Sequence, residues 1–188
     1  MQNDVELFFT PVIPGQPNQG YIQAHNPLGK IPALETASGD TLFDSTVICE
    51  YLDSLSSGRK ILPAEGDQRF RTLTRQSLAH GICEAAVIIR YETFLRPEEN
   101  QWDVWLEDQW KKIHRALAWF DANVHTLQNE CDLDQITLGC AMGYLDFRTP
   151  DLNWRDDYTN LKHWYDLSEQ RDSFKATLPD AQPIGQSQ

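Results

Sequence analysis

Asn26-Pro27-Leu28-Gly29-Lys30-Ile31-Pro32-Ala33-Leu34, followed after a short polar break by Asp44-Ser45-Thr46-Val47-Ile48, decides how the first part of this chain folds. Pro27 fixes φ and Gly29 relaxes it, so a turn is expected that steers the backbone sharply into Ile31-Pro32. Ile31 to Glu35 and Thr41 to Phe43 then read as two strands joined through Ser38-Gly39-Asp40, whose Gly and Asp suit a hairpin turn. From Asp44 the period changes. Val47, Ile48, Tyr51, Leu52 and Leu55 form one stripe of a helix that covers the small sheet.

Upstream, Val5 to Thr10 reads as a further strand. Downstream, Ser56 to Gly66 is rich in turn formers and reads as a linker. Every long segment beyond it has helical spacing. Asp67 to Phe94 forms one long helix, with Gly81 in its middle suggesting close approach of another backbone. Gln101 to Leu127 forms the next, carried by Ile113, Leu117, Phe120, Val124 and Leu127. A third begins at Asp132, which with Gln135 suits a capping box, and runs through Ile136, Leu138, Cys140 and Leu145. Pro150 to Asp157 reads as a loop, Leu161, Trp164, Tyr165 and Leu167 as another helix, and Asp172 to Ala176 as a short last one. The expected organisation is a small α/β domain at 1–55, a linker at 56–66, an all-helical domain of about five helices at 67–179, and a frayed tail at 180–188.

The composition is that of an ordinary globular protein, with 188 residues, 40% apolar and 23% charged. No apolar run approaches the length of a membrane helix, and the start lacks the basic residues of a secretory signal, so the expected setting is the cytoplasm with no membrane partner. The net charge of −12 argues against nucleic acid, whose phosphates need clustered cations. Cys49, Cys83, Cys131 and Cys140 form no CxxC pair and read as buried reduced thiols. His80, Cys83 and Glu84 lie at helical spacing but read as ordinary core and surface, so no metal is expected.

Two features of the opening stretch carry chemistry. An X-Pro bond at the mouth of a strand is a candidate for the cis form. If Ile31-Pro32 is cis, the N–H and C=O of Ile31 face outward, available to a peptide-like ligand lying antiparallel to the strand. Ser45 stands where a helix begins, and the unpaired amides of that first turn favour a carboxylate. Taken singly, Asp44 and Ser45 read as helix caps. Joined to the Ile31-Pro32 corner, they describe peptide-backbone recognition at one end and carboxylate recognition at the other.

NPLGKIPAL and FDSTVICEYLD resemble the glutathione-binding half of the soluble glutathione S-transferase family, and LGCAMGYLDFR with NLKHWYDLSEQRDSFKATLP is similar to that family's C-terminal domain. The resemblance implies a thioredoxin-like N-terminal domain followed by an all-α helical bundle, with glutathione as co-substrate, no metal, and a homodimer. It places the cysteinyl part of glutathione on the backbone of Ile31, next to Pro32, and the γ-glutamyl end on Asp44 and Ser45. Lys30 approaches the glycyl carboxylate or is a solvated surface lysine. The implied activity is attack of the glutathione thiolate on a small electrophile. The alternative is a non-catalytic binding or assembly module of the same fold.

The family's catalytic Ser, Tyr or Cys follows the first strand and stabilises the thiolate. Here residues 11–25 alone separate Thr10 from Asn26, too few for a crossover helix and another strand. Val5 to Thr10 is therefore expected to be the family's second strand. The first strand, first helix and catalytic side chain then have no counterpart, the thioredoxin-like domain is incomplete, and the catalytic residue is unassigned. Thr10-Pro11 reads as a strand-ending turn rather than a catalytic step. Trp102, Trp105 and Trp110 suit core or dimer packing better than the wall of an apolar co-substrate pocket.

Overall fold

The computed structural model describes residues 5–127 and 131–178, and the chain divides into two compact units, 1–64 and 65–188. The expected tail at 180–188 lies outside the described residues.

The first unit opens its regular structure with a short helix, α1 (Gln19–Ala24), absent from the sequence expectation. Asn18 starts it by accepting the Tyr21 N–H at 3.0 Å, satisfying a first-turn amide. Two strands follow, β1 (Leu34–Glu35) and β2 (Thr41–Leu42), antiparallel with Leu34 opposite Leu42 and Glu35 opposite Thr41. Their hairpin turns at Gly39, whose φ of 87° is the left-handed region glycine enters freely. Ser38 Oγ donates to Asp40 Oδ2 at 2.8 Å across the same turn.

The next element, α2 (Ser45–Leu55), buries Ile48. Its C-terminal carbonyls are collected by one cation: Lys60 Nζ donates to the backbone oxygens of Asp53, Ser54 and Ser56 at 2.6, 3.0 and 2.6 Å. The Asp53 carboxylate in turn accepts the N–H groups of Ile61 and Leu62 at 2.8 and 3.3 Å. Residues 60–62 of the stretch read as a linker are thus tied back to the end of α2, and Leu62 is buried.

Val5 to Thr10 does not form the expected strand. A strand exists only by exchanging hydrogen bonds with a neighbour, and the two strands among the described residues bond to each other. The apolar side chains of this segment consequently face outward, with Leu7 90% exposed.

The second unit is helical: α3 (Gly66–Phe94), α4 (Asp103–Asn123), α5 (Leu133–Arg148), α6 (Trp154–Asp157), α7 (Thr159–Ser168) and α8 (Asp172–Lys175). α3 packs on both α4 and α5. It presents Ala79, Ile82, Ala86 and Ile89, three or four residues apart, to Ile113, Leu117 and Phe120 of α4 and to Leu138, Met142 and Leu145 of α5. Burial of each large side chain here contributes about 1.5–3 kcal/mol. Trp154 and Tyr165 close the cluster from α6 and α7, their rings edge to face at 5.8 Å.

Several expectations for this unit need correction. The 150–157 segment contains the α6 turn, held to α5 because Asp146 accepts the Trp154 indole N–H at 2.9 Å and both terminal nitrogens of Arg155. Gly81 is not a contact point: a side-chain carbon added there meets open space. The close approach is at Gly139 on α5, where an added Cβ would lie 2.0 Å from the Phe174 ring of α8. No disulfide joins the four cysteines, and the expected burial is incomplete: Cys49, Cys83 and Cys131 are only half-buried and Cys140 is exposed.

Candidate functional site

The corner between α1 and β1 is built around one carbonyl. The Lys30 oxygen accepts from Tyr21 Oη at 2.7 Å and from Asn26 Nδ2 at 2.8 Å. Asn26 is almost fully buried, and its Oδ1 accepts the Leu28 N–H at 2.9 Å, so a single amide side chain ties both sides of the turn. Gly29 allows that turn with φ 60°, while its N–H reaches back to the Asn26 carbonyl at 2.8 Å. Burial raises the Tyr21 phenol above its ordinary pKa, so it stays a hydrogen-bond donor at neutral pH.

Beyond this brace the chain turns outward. The Ile31–Pro32 peptide bond is cis, the form for which the sequence marked it, and Phe43–Asp44 is cis as well. Ile31 is 59% exposed, and its backbone N–H and C=O have no partner among the described residues. Pro32 and Lys30 are exposed beside it.

Asp44 is the N-cap of α2, its Oδ1 accepting the Thr46 N–H at 3.0 Å. Ser45, the first residue of α2, is half-buried, and neither its hydroxyl nor its N–H has a partner among the described residues. The register of β1 against β2 relates the two places. Leu34 faces Leu42, and counting three residues outward along each strand reaches Ile31 on one side and Ser45 on the other. Both therefore belong to the same, open end of the hairpin, with the positive end of the α2 dipole beside them.

Tyr21 and Asn26 were missed as positioning residues. Asn26 belongs to the stretch that makes the turn, but its bond to Lys30 depends on a three-dimensional return that no spacing rule encodes. Trp102, just before α4, and Trp105 stack on each other at 6.3 Å, Trp102 being 63% exposed, whereas Trp110 packs against the helical core. Among the described residues no group of three or more His, Cys, Asp or Glu side chains comes together as a metal cluster. No helix among them is long and apolar enough to cross a membrane.

A two-strand α/β unit with an open corner, followed by a helical unit with one long packed helix triad, defines a known class. Residues 5–55 match the family model for the glutathione S-transferase N-terminal domain, and residues 103–167 match that for the C-terminal domain. A curated relative, the uncharacterized GST-like protein YibF of Escherichia coli strain K12, is 31% identical over 182 residues, spanning 95% of this chain and 89% of its own. A glutathione transferase family member from Pseudomonas fluorescens Pf-5, solved with bound glutathione, superposes with a TM-score of 0.89 at 44% identity, covering 92% of this chain and 84% of that one. Another structure from the same strain, solved with bound S-(propanoic acid)-glutathione, gives 0.80 at 47% identity over 83% and 80% of the two chains. The chain belongs to the glutathione S-transferase family.

Proposed function

We propose that this protein binds glutathione at the corner formed by Lys30, Ile31, Pro32, Asp44 and Ser45 and joins its thiolate to a small electrophile. One observation carries the reading: the unpartnered backbone of Ile31 and the unpartnered hydroxyl and N–H of Ser45 stand at one end of one hairpin. Ile31 offers a donor and an acceptor to the peptide edge of the cysteinyl residue. At the γ-glutamyl end the ligand carries both an ammonium and a carboxylate. The Asp44 oxygen not engaged by Thr46 suits the ammonium, and Ser45 at the helix start suits the carboxylate. Lys30 supplies a cation for the glycyl end.

The chemistry is displacement or addition: the glutathione sulfur gives its electron pair to an electrophilic carbon, a C–S bond forms, and the displaced group or the π electrons take the charge. The thiolate is the reacting form, so activity rises with pH through the thiol's titration. Support comes from the Pseudomonas neighbours, one holding glutathione and one a glutathione thioether, the kind of molecule such a reaction yields. We place the protein in the cytoplasm as a homodimer, by its family.

The test is retention on immobilised glutathione, followed by turnover with a generic aryl halide. The wild-type chain is retained and Ser45→Ala is not, while both keep the same helical content. Retention unchanged by that substitution contradicts the site. Retention without turnover supports a glutathione-binding module in place of an enzyme.

A further inference from the structure

The helical unit has a concave site of its own, apart from the glutathione corner. Where the C-terminal ends of α3 and α5 meet the middle of α4, a cleft of about 330 Å³ opens, lined by Arg90 and Thr93, Trp110 and His114, and Arg148 with the 149–152 turn. Its walls are mixed. Ile89, Trp110 and Leu152 supply apolar surface, and the two arginines supply charge.

Acidic residues outnumber Lys and Arg by 28 to 16, and the partly exposed guanidiniums of Arg96 and Arg155 each pair with a carboxylate. Arg90 and Arg148 form no ion pair or hydrogen bond with any described side chain. Each instead lies against an aromatic ring of its own helix: Arg90 over Phe94 at 3.5 Å, and Arg148 over Phe147 at 4.3 Å. Stacking engages the flat face of a guanidinium and leaves its N–H edge, the edge that grips a carboxylate in two parallel bonds. The two are close in space as well as lining one cleft, since both act on the Tyr144 phenol, whose pKa burial raises and both arginines pull down. One carboxylate, Asp151, is exposed at the mouth and leaves the cleft with an excess of positive charge.

We propose that this cleft binds a small organic monocarboxylate, its carboxylate on the edges of Arg90 and Arg148 and its apolar body against Trp110, Ile89 and Leu152. The volume suits a single-ring acid, and half-buried guanidiniums attract it more strongly than solvated ones because water screens them less. The cleft lies wholly in the helical unit, so the inference stands apart from the glutathione assignment.

The test titrates the full chain, without glutathione, with phenylacetate and with its uncharged analogue phenylacetamide. The Trp110 indole N–H resonance, identified by its loss in Trp110→Phe, reports occupancy. Phenylacetate is expected to shift that signal saturably, with phenylacetamide at least tenfold weaker. Arg90→Gln and Arg148→Gln each weaken phenylacetate at least tenfold, Arg90→Lys and Arg148→Lys weaken it less because they keep the charge but lose the paired N–H edge, and Asp151→Asn tightens it severalfold. Equal affinity for acid and amide overturns the proposal in the wild-type protein, whatever the variants do to folding. Phenylacetate affinity untouched by both glutamine substitutions overturns it equally.

Discussion

Cys83 and Cys140 sit on neighbouring helices, yet their environments make them chemically unlike. Burial, followed by the field of Cys140, pushes the Cys83 thiol up to about 12, so at pH 8 almost none of it is thiolate. Cys140 is exposed. Brief treatment with iodoacetamide at pH 8, read by peptide mass, is expected to label Cys140 at least tenfold faster than Cys83; equal rates would show that burial does not govern the pair. The sequence placed both thiols on helices but could not rank them, because a residue's burial within a helix depends on what crosses it. The same limit applies at the corner. Pro27, Gly29, Pro32, Asp44 and Ser45 announced a bend and a helix start through their own stereochemistry, whereas the brace from Tyr21 and Asn26 to the Lys30 oxygen exists only after the chain has returned on itself.

Helices were legible where their apolar stripe was long. α3, α4, α5 and α7 fall within a few residues of the expected bounds, because a buried face repeated over several turns leaves a period in the sequence. α1 and α6 left none. Each is only four to six residues, and each is fixed by single side chains, Asn18 and Tyr21 for one and Asp146 for the other. Glycine proved equally position-dependent. Gly81 lies mid-helix in open space, so Gly81→Ala is expected to raise stability by about 0.5–1 kcal/mol through the better helix propensity of alanine. Gly139→Ala has the opposite sign, displacing the Phe174 ring and costing about 1–3 kcal/mol. Urea unfolding followed by circular dichroism separates the two; a shift of the same sign for both would refute the packing assigned to α8.

The α3–α5 contact also contains a buried ion pair between Arg75 and Asp134. The second Asp134 oxygen and the Thr72 hydroxyl are buried beside it without hydrogen-bond partners among the described residues. Asp134→Ala leaves the Arg75 charge buried and uncompensated, and is expected to lower unfolding stability by about 3–5 kcal/mol. A loss below about 1 kcal/mol would mean that Arg75 reaches solvent in solution.

Across the whole molecule, the order of a small α/β unit and a helical bundle was readable from a change of texture near residue 60, where alternation gives way to helical period. What was not readable is the state of Val5 to Thr10. Its alternation and aromatic content satisfy every local rule for a strand, but strand formation is decided by a partner elsewhere, and β1 and β2 do not supply one. The helical unit, by contrast, carries a self-contained core.

The proposed function rests on two sets of unpartnered polar groups at one hairpin end, the Ile31 backbone and the Ser45 hydroxyl with its N–H. Isothermal calorimetry with reduced glutathione measures that directly. The wild-type chain is predicted to give a saturable heat, and Ser45→Ala, with unchanged circular dichroism, a dissociation constant at least tenfold larger. Wild-type protein that gives no binding heat, or a Ser45→Ala variant that binds as tightly as the wild type, would contradict it.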